Sequence, residues 1–165
     1  MKNIIFIGMP ASGKSTIGVV VAKHLGYDFI DSDLLIQKQE KRLLKDIIAD
    51  VGNEGFLAIE NQVNCDIKAE RAVISPGGSI VYCQEAMEHF KEIGTIIYLK
   101  VSFETINERI SNAKNRGVVL KEGQTLKDLY DERTALFEKY ADYTISECGL
   151  SLEETIDEVL ELLKK

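Results

Sequence analysis

A chain of 165 residues, 45% hydrophobic and 28% charged, has the make-up of one ordinary globular domain with room for its own core. A net charge of −7 argues against nucleic acid as the main partner, because phosphate backbones ask for a basic face. No apolar run approaches the roughly 20 residues of a membrane span, so no membrane partner is expected. The first apolar run starts almost at once and leaves no room for a signal peptide. Cys65, Cys83 and Cys148 show neither metal-ligand spacing nor a C-x-x-C pair. They read as reduced thiols of a cytoplasmic protein.

Ile4-Ile5-Phe6-Ile7 is short, apolar and branched, as a buried parallel strand is. It runs into Gly8-Met9-Pro10-Ala11-Ser12-Gly13-Lys14-Ser15-Thr16, a complete G-x-x-x-x-G-K-[ST] phosphate loop. Gly8 and Gly13 permit the tight backbone that turns N–H groups onto phosphate oxygens. Pro10, Ala11, Ser12, Gly13, Lys14, Ser15 and Thr16 are therefore expected to bind the phosphates of a nucleoside triphosphate. Lys14 supplies a point charge to the β- and γ-phosphates, and Ser15 a hydroxyl to Mg²⁺. Ile17, Val20, Val21 and Leu25 then recur at helical spacing, so the loop opens a helix whose N-terminus favours anions.

Strands are expected near 2–7, 27–30, 72–75, 95–100 and 142–146. Helices are expected near 14–25, 33–41, 43–50, 53–69, 84–91, 103–111, 125–140 and 152–164. Ser151 with Glu154 reads as a capping box, and Ser102 precedes Glu104 in a first turn. This alternation predicts an α/β fold: a five-stranded parallel sheet between helical layers, a three-layer αβα sandwich. Ligands then gather at the carboxyl ends of the strands, where loops 8–13, 31–33 and 76–79 fall.

Asp31-Ser32-Asp33 follows the apolar pair Phe29-Ile30. Residues two apart on an extended chain share a face, so both carboxylates can point at the phosphate loop. Asp31 is assigned to Mg²⁺, and Asp33 to orienting an attacking hydroxyl and accepting its proton. A cap of the following helix is the competing role for Asp33 or Ser32, and it is compatible with the first. Pro76-Gly77-Gly78-Ser79 either brings backbone N–H groups to an acceptor or is a plain turn. The polar stretch 111–125, with Arg116, is either a lid over the nucleotide or a solvated loop. Of five arginines, Arg109 and Arg133 flank that stretch and serve as anion ligands or as surface ion pairs.

Taken together these motifs resemble the shikimate kinase family of small P-loop kinases, collinearly over nearly the whole chain. The match runs from Gly8–Thr16 through Phe29–Asp33, Gly52 to Glu60, Gly77-Gly78, Tyr98-Leu99 and Glu108-Arg109. It continues through Arg116, Glu132-Arg133, Leu136-Phe137 and Tyr140-Ala141-Asp142. The resemblance implies transfer of the γ-phosphate of ATP to the 3-hydroxyl of shikimate with Mg²⁺. It implies one kinase domain over 1–165, with an acceptor region near 32–62 and a lid near 111–125, and a monomer is expected. By position, Lys14, Asp33 and Arg116 would be catalytic, Arg109 and Arg116 would bind ATP, and Ser15 and Asp31 would face the metal. Asp33, Leu57, Gly77, Gly78, Ser79 and Arg133 would line the acceptor site. Leu57 stands where the family has an arginine that clamps the acceptor carboxylate. Ser79 replaces the third glycine of its loop, Gly117 a proline after the lid arginine, and Ala135 a proline after the acceptor arginine. Another small hydroxylated acceptor, a nucleoside monophosphate, and a nucleotide-binding role without kinase activity are the alternatives.

Overall fold

A computed structural model describes residues 2–112 and 122–165. Five parallel strands form its sheet: β1 (Asn3–Ile7), β2 (Asp28–Asp31), β3 (Ala72–Ser75), β4 (Gly94–Lys100) and β5 (Tyr143–Ser146), in the order β2-β3-β1-β4-β5. The helices among the described residues are α1 (Lys14–Leu25), α2 (Ser32–Glu40), α3 (Leu44–Cys65), α4 (Gln84–Ile93), α5 (Phe103–Asn112), α6 (Leu126–Tyr140) and α7 (Leu152–Leu163).

The side-chain period of two sorts β1 between two cores. Ile4 and Phe6 face α1 and α7, where they meet Ile17, Val21, Ile156 and Val159. Ile5 and Ile7 face the opposite layer, with Met87, Phe90, Ile106 and Phe137. A smaller cluster of Ile36, Ile47, Phe56 and Val63 joins α2 to α3 beside the sheet. The expected αβα sandwich is therefore the observed one. Because β1 connects outward past β3, and β3 connects back across β1 to β4, their loops part at the carboxyl edge. A crevice of this kind is where such sheets bind ligands.

Polar groups fix the elements at their ends. Asn3 is buried and donates to the carbonyls of Ala69 (2.7 Å) and Ile93 (3.1 Å), while its own oxygen accepts from the Ala72 amide (2.9 Å). One side chain thus ties β1 to the start of β3 and the end of α4. Asn3→Ala leaves one buried amide and two half-buried carbonyls without their partner and is expected to lower stability by about 2 kcal/mol. Urea unfolding measures this, and an unchanged midpoint would show that water replaces the amide.

The Ser151 capping box forms as expected, and Ser102 accepts from the Thr105 amide at the start of α5. Thr125 with Asp128 makes a second box at α6. The two helices expected at 43–50 and 53–69 form the two arms of α3, parted by a break at Gly52, whose φ of 74° lies in the left-handed region. One boundary is corrected. Helix α3 stops at Cys65, not 69, because Ile67 turns into the core and His89 Nε2 contacts its carbonyl at 2.7 Å. A 3₁₀ turn at Ile80–Tyr82 follows the glycine loop.

Candidate active site

The phosphate loop joins β1 to α1 at the crevice. Gly13 is left-handed (φ 91°), and so is Ala11 (φ 67°), a conformation an alanine adopts only under constraint. Arg109 of α5 supplies part of that constraint, donating to the Ala11 carbonyl at 2.8 Å. Lys14 is buried, and its Nζ donates to the carbonyls of Gly8 (3.0 Å) and Met9 (2.9 Å). The ammonium is thereby held inside the loop's own ring of backbone.

Asp31 does two jobs at once. Its Oδ1 accepts from the amides of Asp33 and Leu34 as the N-cap of α2, while its Oδ2 lies 3.4 Å from the Ser15 hydroxyl. Ser15 Oγ is also 3.4 Å from Ser75 Oγ at the end of β3. Three oxygen-bearing side chains therefore meet beside the loop.

One cavity of about 610 Å³ spans this region. Pro10, Ala11, Ser12, Gly13, Lys14, Ser15, Thr16 and Arg109 line one part of it. Asp33, Gly77, Gly78, Ser79 and Arg133 line another. A side chain at either glycine would crowd its neighbours. A Cβ on Gly77 would lie 2.8 Å from Asp33 Oδ1, and one on Gly78 would lie 2.6 Å from Pro10 Cδ. Arg133 is only 1% exposed, so it is no surface ion pair. Burial works against its charge, and Tyr82, Glu60 and Glu132 provide the counterweight. Its guanidinium sits 5.4 Å over the Tyr82 ring.

Leu57 does not line the cavity. It packs against the main core beneath the sheet, and its carbonyl accepts from the Cys83 thiol at 3.5 Å. The neighbours one helical turn apart, Phe56 and Glu60, line the cavity instead. Arg116 and most of the segment expected as a lid lie outside the described residues. Gln37, Leu44, Lys45 and Ile48 also line the cavity, and the motif reading passed over them. Glu60 could have been found by its i, i+4 relation to Phe56. Glu147, just after β5, gave no signal. Its carboxyl lies about 4.0 Å from a Cβ placed on Gly13, and burial pushes it to about 7 against the pull of Arg109 and Lys14.

A phosphate loop and an oxygen-lined chamber sharing one cavity define a P-loop kinase of small molecules. Comparison with known proteins narrows the class. The shikimate kinase family profile matches residues 10–164. A shikimate kinase of Persephonella marina is 34% identical over 161 residues, covering 97% of this chain and 98% of that protein. The structure of shikimate kinase from Acinetobacter baumannii in complex with shikimate superimposes with a TM-score of 0.90 at 28% identity, covering 99% of this chain and 93% of that one. Shikimate kinase from Aquifex aeolicus gives a TM-score of 0.81 at 30% identity, covering 98% and 96%. The chain belongs to the shikimate kinase family.

Proposed function

We propose that this chain transfers the γ-phosphate of ATP to the 3-hydroxyl of shikimate. The observation that carries the reading is the shared cavity, with the phosphate loop on one side and Asp33, Arg133 and the 77–79 backbone on the other. The structural likeness to a relative solved with shikimate supports the choice of acceptor.

In this reading Lys14 and the loop amides hold the triphosphate, and Arg109 braces the loop through the Ala11 carbonyl. Arg133 holds the acceptor carboxylate, and Gly77 and Gly78 let backbone approach its hydroxyls. Asp33 orients the attacking hydroxyl and takes its proton as the new P–O bond forms and the β–γ bridge breaks, releasing ADP. Arg116, in the segment 111–125, is assigned to charge on the transferring group. Ser15, Asp31 and Ser75 are hard oxygen donors gathered beside the loop, a set that suits Mg²⁺. When bound, Mg²⁺ would neutralise charge on the β- and γ-phosphates.

ADP release with Mg²⁺-ATP is the test, across shikimate, quinate, sugar acids and nucleoside monophosphates. Saturable turnover with shikimate is expected. Turnover only with another hydroxyl compound would move the acceptor assignment while keeping the kinase.

A further inference from the structure

Glu60 is fully buried, yet only one of its carboxyl oxygens is hydrogen-bonded. Oε1 accepts from the Ser79 hydroxyl at 2.6 Å, with the Cys83 thiol at 3.9 Å. Oε2 is buried and has no hydrogen-bond partner. It lies 3.0 Å from the point where a Cβ on Gly77 would sit, and Asp33 Oδ1 lies 2.8 Å from the same point. Two carboxyl groups therefore converge across one glycine on the cavity wall. The charges facing Glu60 are Asp33 from α2 and Arg133 from α6, with the Cys83 thiol at the start of α4. Burial pushes the Glu60 carboxyl up to about 7, Asp33 adds to the shift, and Ser79, Arg133 and Cys83 oppose it.

An anionic acceptor alters this balance. Its carboxylate draws on the Arg133 charge that otherwise offsets Glu60. Glu60 is then left with Asp33 and a second anion in a low-dielectric cavity. We propose that Glu60 takes up one proton on Oε2 as an anionic acceptor binds, so that the cavity presents a neutral O–H donor beside Arg133. The proton comes from solvent, the new O–H bond forms at Oε2, and no bond of the acceptor changes. This rests on the acceptor assignment proposed above, and it adds a specificity device: acceptor affinity is tied to pH through one side chain.

The sign follows from linkage. Below about pH 6 Glu60 is protonated with or without acceptor, and affinity is flat. Above about pH 7 a proton must be gained, so affinity for shikimate falls by up to about tenfold per pH unit. Calorimetry of the full chain with shikimate, at about pH 8 in two buffers of different ionisation heat, reads the proton directly. Uptake approaching one proton is expected there and almost none at about pH 6. Glu60→Gln keeps a donor but cannot titrate, so uptake should vanish and the pH dependence flatten. Ser79→Ala removes a bond that holds the Glu60 carboxyl down, so the onset of weakening should move to higher pH. It serves also if the Gln variant does not fold. Binding without proton uptake, uptake that persists in Glu60→Gln, or an unmoved onset in Ser79→Ala overturns the inference and leaves the acceptor assignment standing. Absence of shikimate binding at every pH overturns both.

Discussion

Asp33→Asn should lower kcat by about 10²- to 10⁴-fold, the range for losing a positioned general base, with little change in ATP affinity. The substitution is nearly isosteric. The Asp33 backbone amide still donates to Asp31 Oδ1 at 3.0 Å, so the cap of α2 and the Ser15–Asp31 contact remain. The phosphate loop, braced by Arg109 and Lys14, is untouched. What is lost is a carboxylate on the cavity wall beside Gly77 that can take a proton from a hydroxyl. Steady-state kinetics with shikimate, together with ATP titration, separates the outcomes. A kcat within about threefold of the parent would lie far below the loss a general base implies. It would show that the proton leaves by another route. A matching loss of ATP affinity would instead point to disruption through Asp31.

Much of this site was legible because its parts are contiguous in sequence. The run from Ile4 to Thr16 specifies a strand, a turn and a helix start in one stretch, each by a local rule. Asp31-Ser32-Asp33 was legible as a site for the same reason, but the helix cap expected at Asp33 or Ser32 is made by Asp31, because the helix starts one residue earlier, at Ser32. One Asp31 oxygen caps α2 while the other faces Ser15. Properties that depend on helix rotation were not legible. Position 57 was expected in the acceptor site from its place in the motif. Successive helical residues point about 100° apart, so while Phe56 and Glu60 face the cavity, Leu57 faces the core. Arg133 has acidic neighbours in sequence that would suit a surface pair, yet α6 turns it inward over Tyr82. Glu147 is 134 positions from Gly13 in the chain and meets it only because β5 ends beside the phosphate loop.

Arg133→Met should raise the KM for shikimate by about one to two orders of magnitude, since a charge-assisted contact is worth about 1.5–3 kcal/mol. It should also destabilise the protein, and the two effects should differ in their pH dependence. The arginine is buried, and its charge opposes the rise in the Glu60 carboxyl caused by burial. Removing it leaves Glu60 with Asp33 as its charged neighbour on that wall and raises the Glu60 pKa beyond about 7. For an acid whose folded-state pKa lies above its unfolded value, stability falls as pH rises from the unfolded pKa to the folded one. The variant extends that fall to higher pH. Its deficit should therefore approach the roughly 3 kcal/mol expected on breaking a buried pair at about pH 8.5, and be smaller near pH 6. Thermal melts at the two pH values measure this, and kinetics near pH 6, where folding is least affected, isolate the acceptor contact. A raised KM near pH 6 with a small change in Tm assigns Arg133 to the acceptor. An unchanged KM with lowered stability at both pH values would make it a structural counter-charge for Glu60 and move the acceptor's anionic end elsewhere in the cavity, where Lys45 is a lining cation not assigned to the nucleotide.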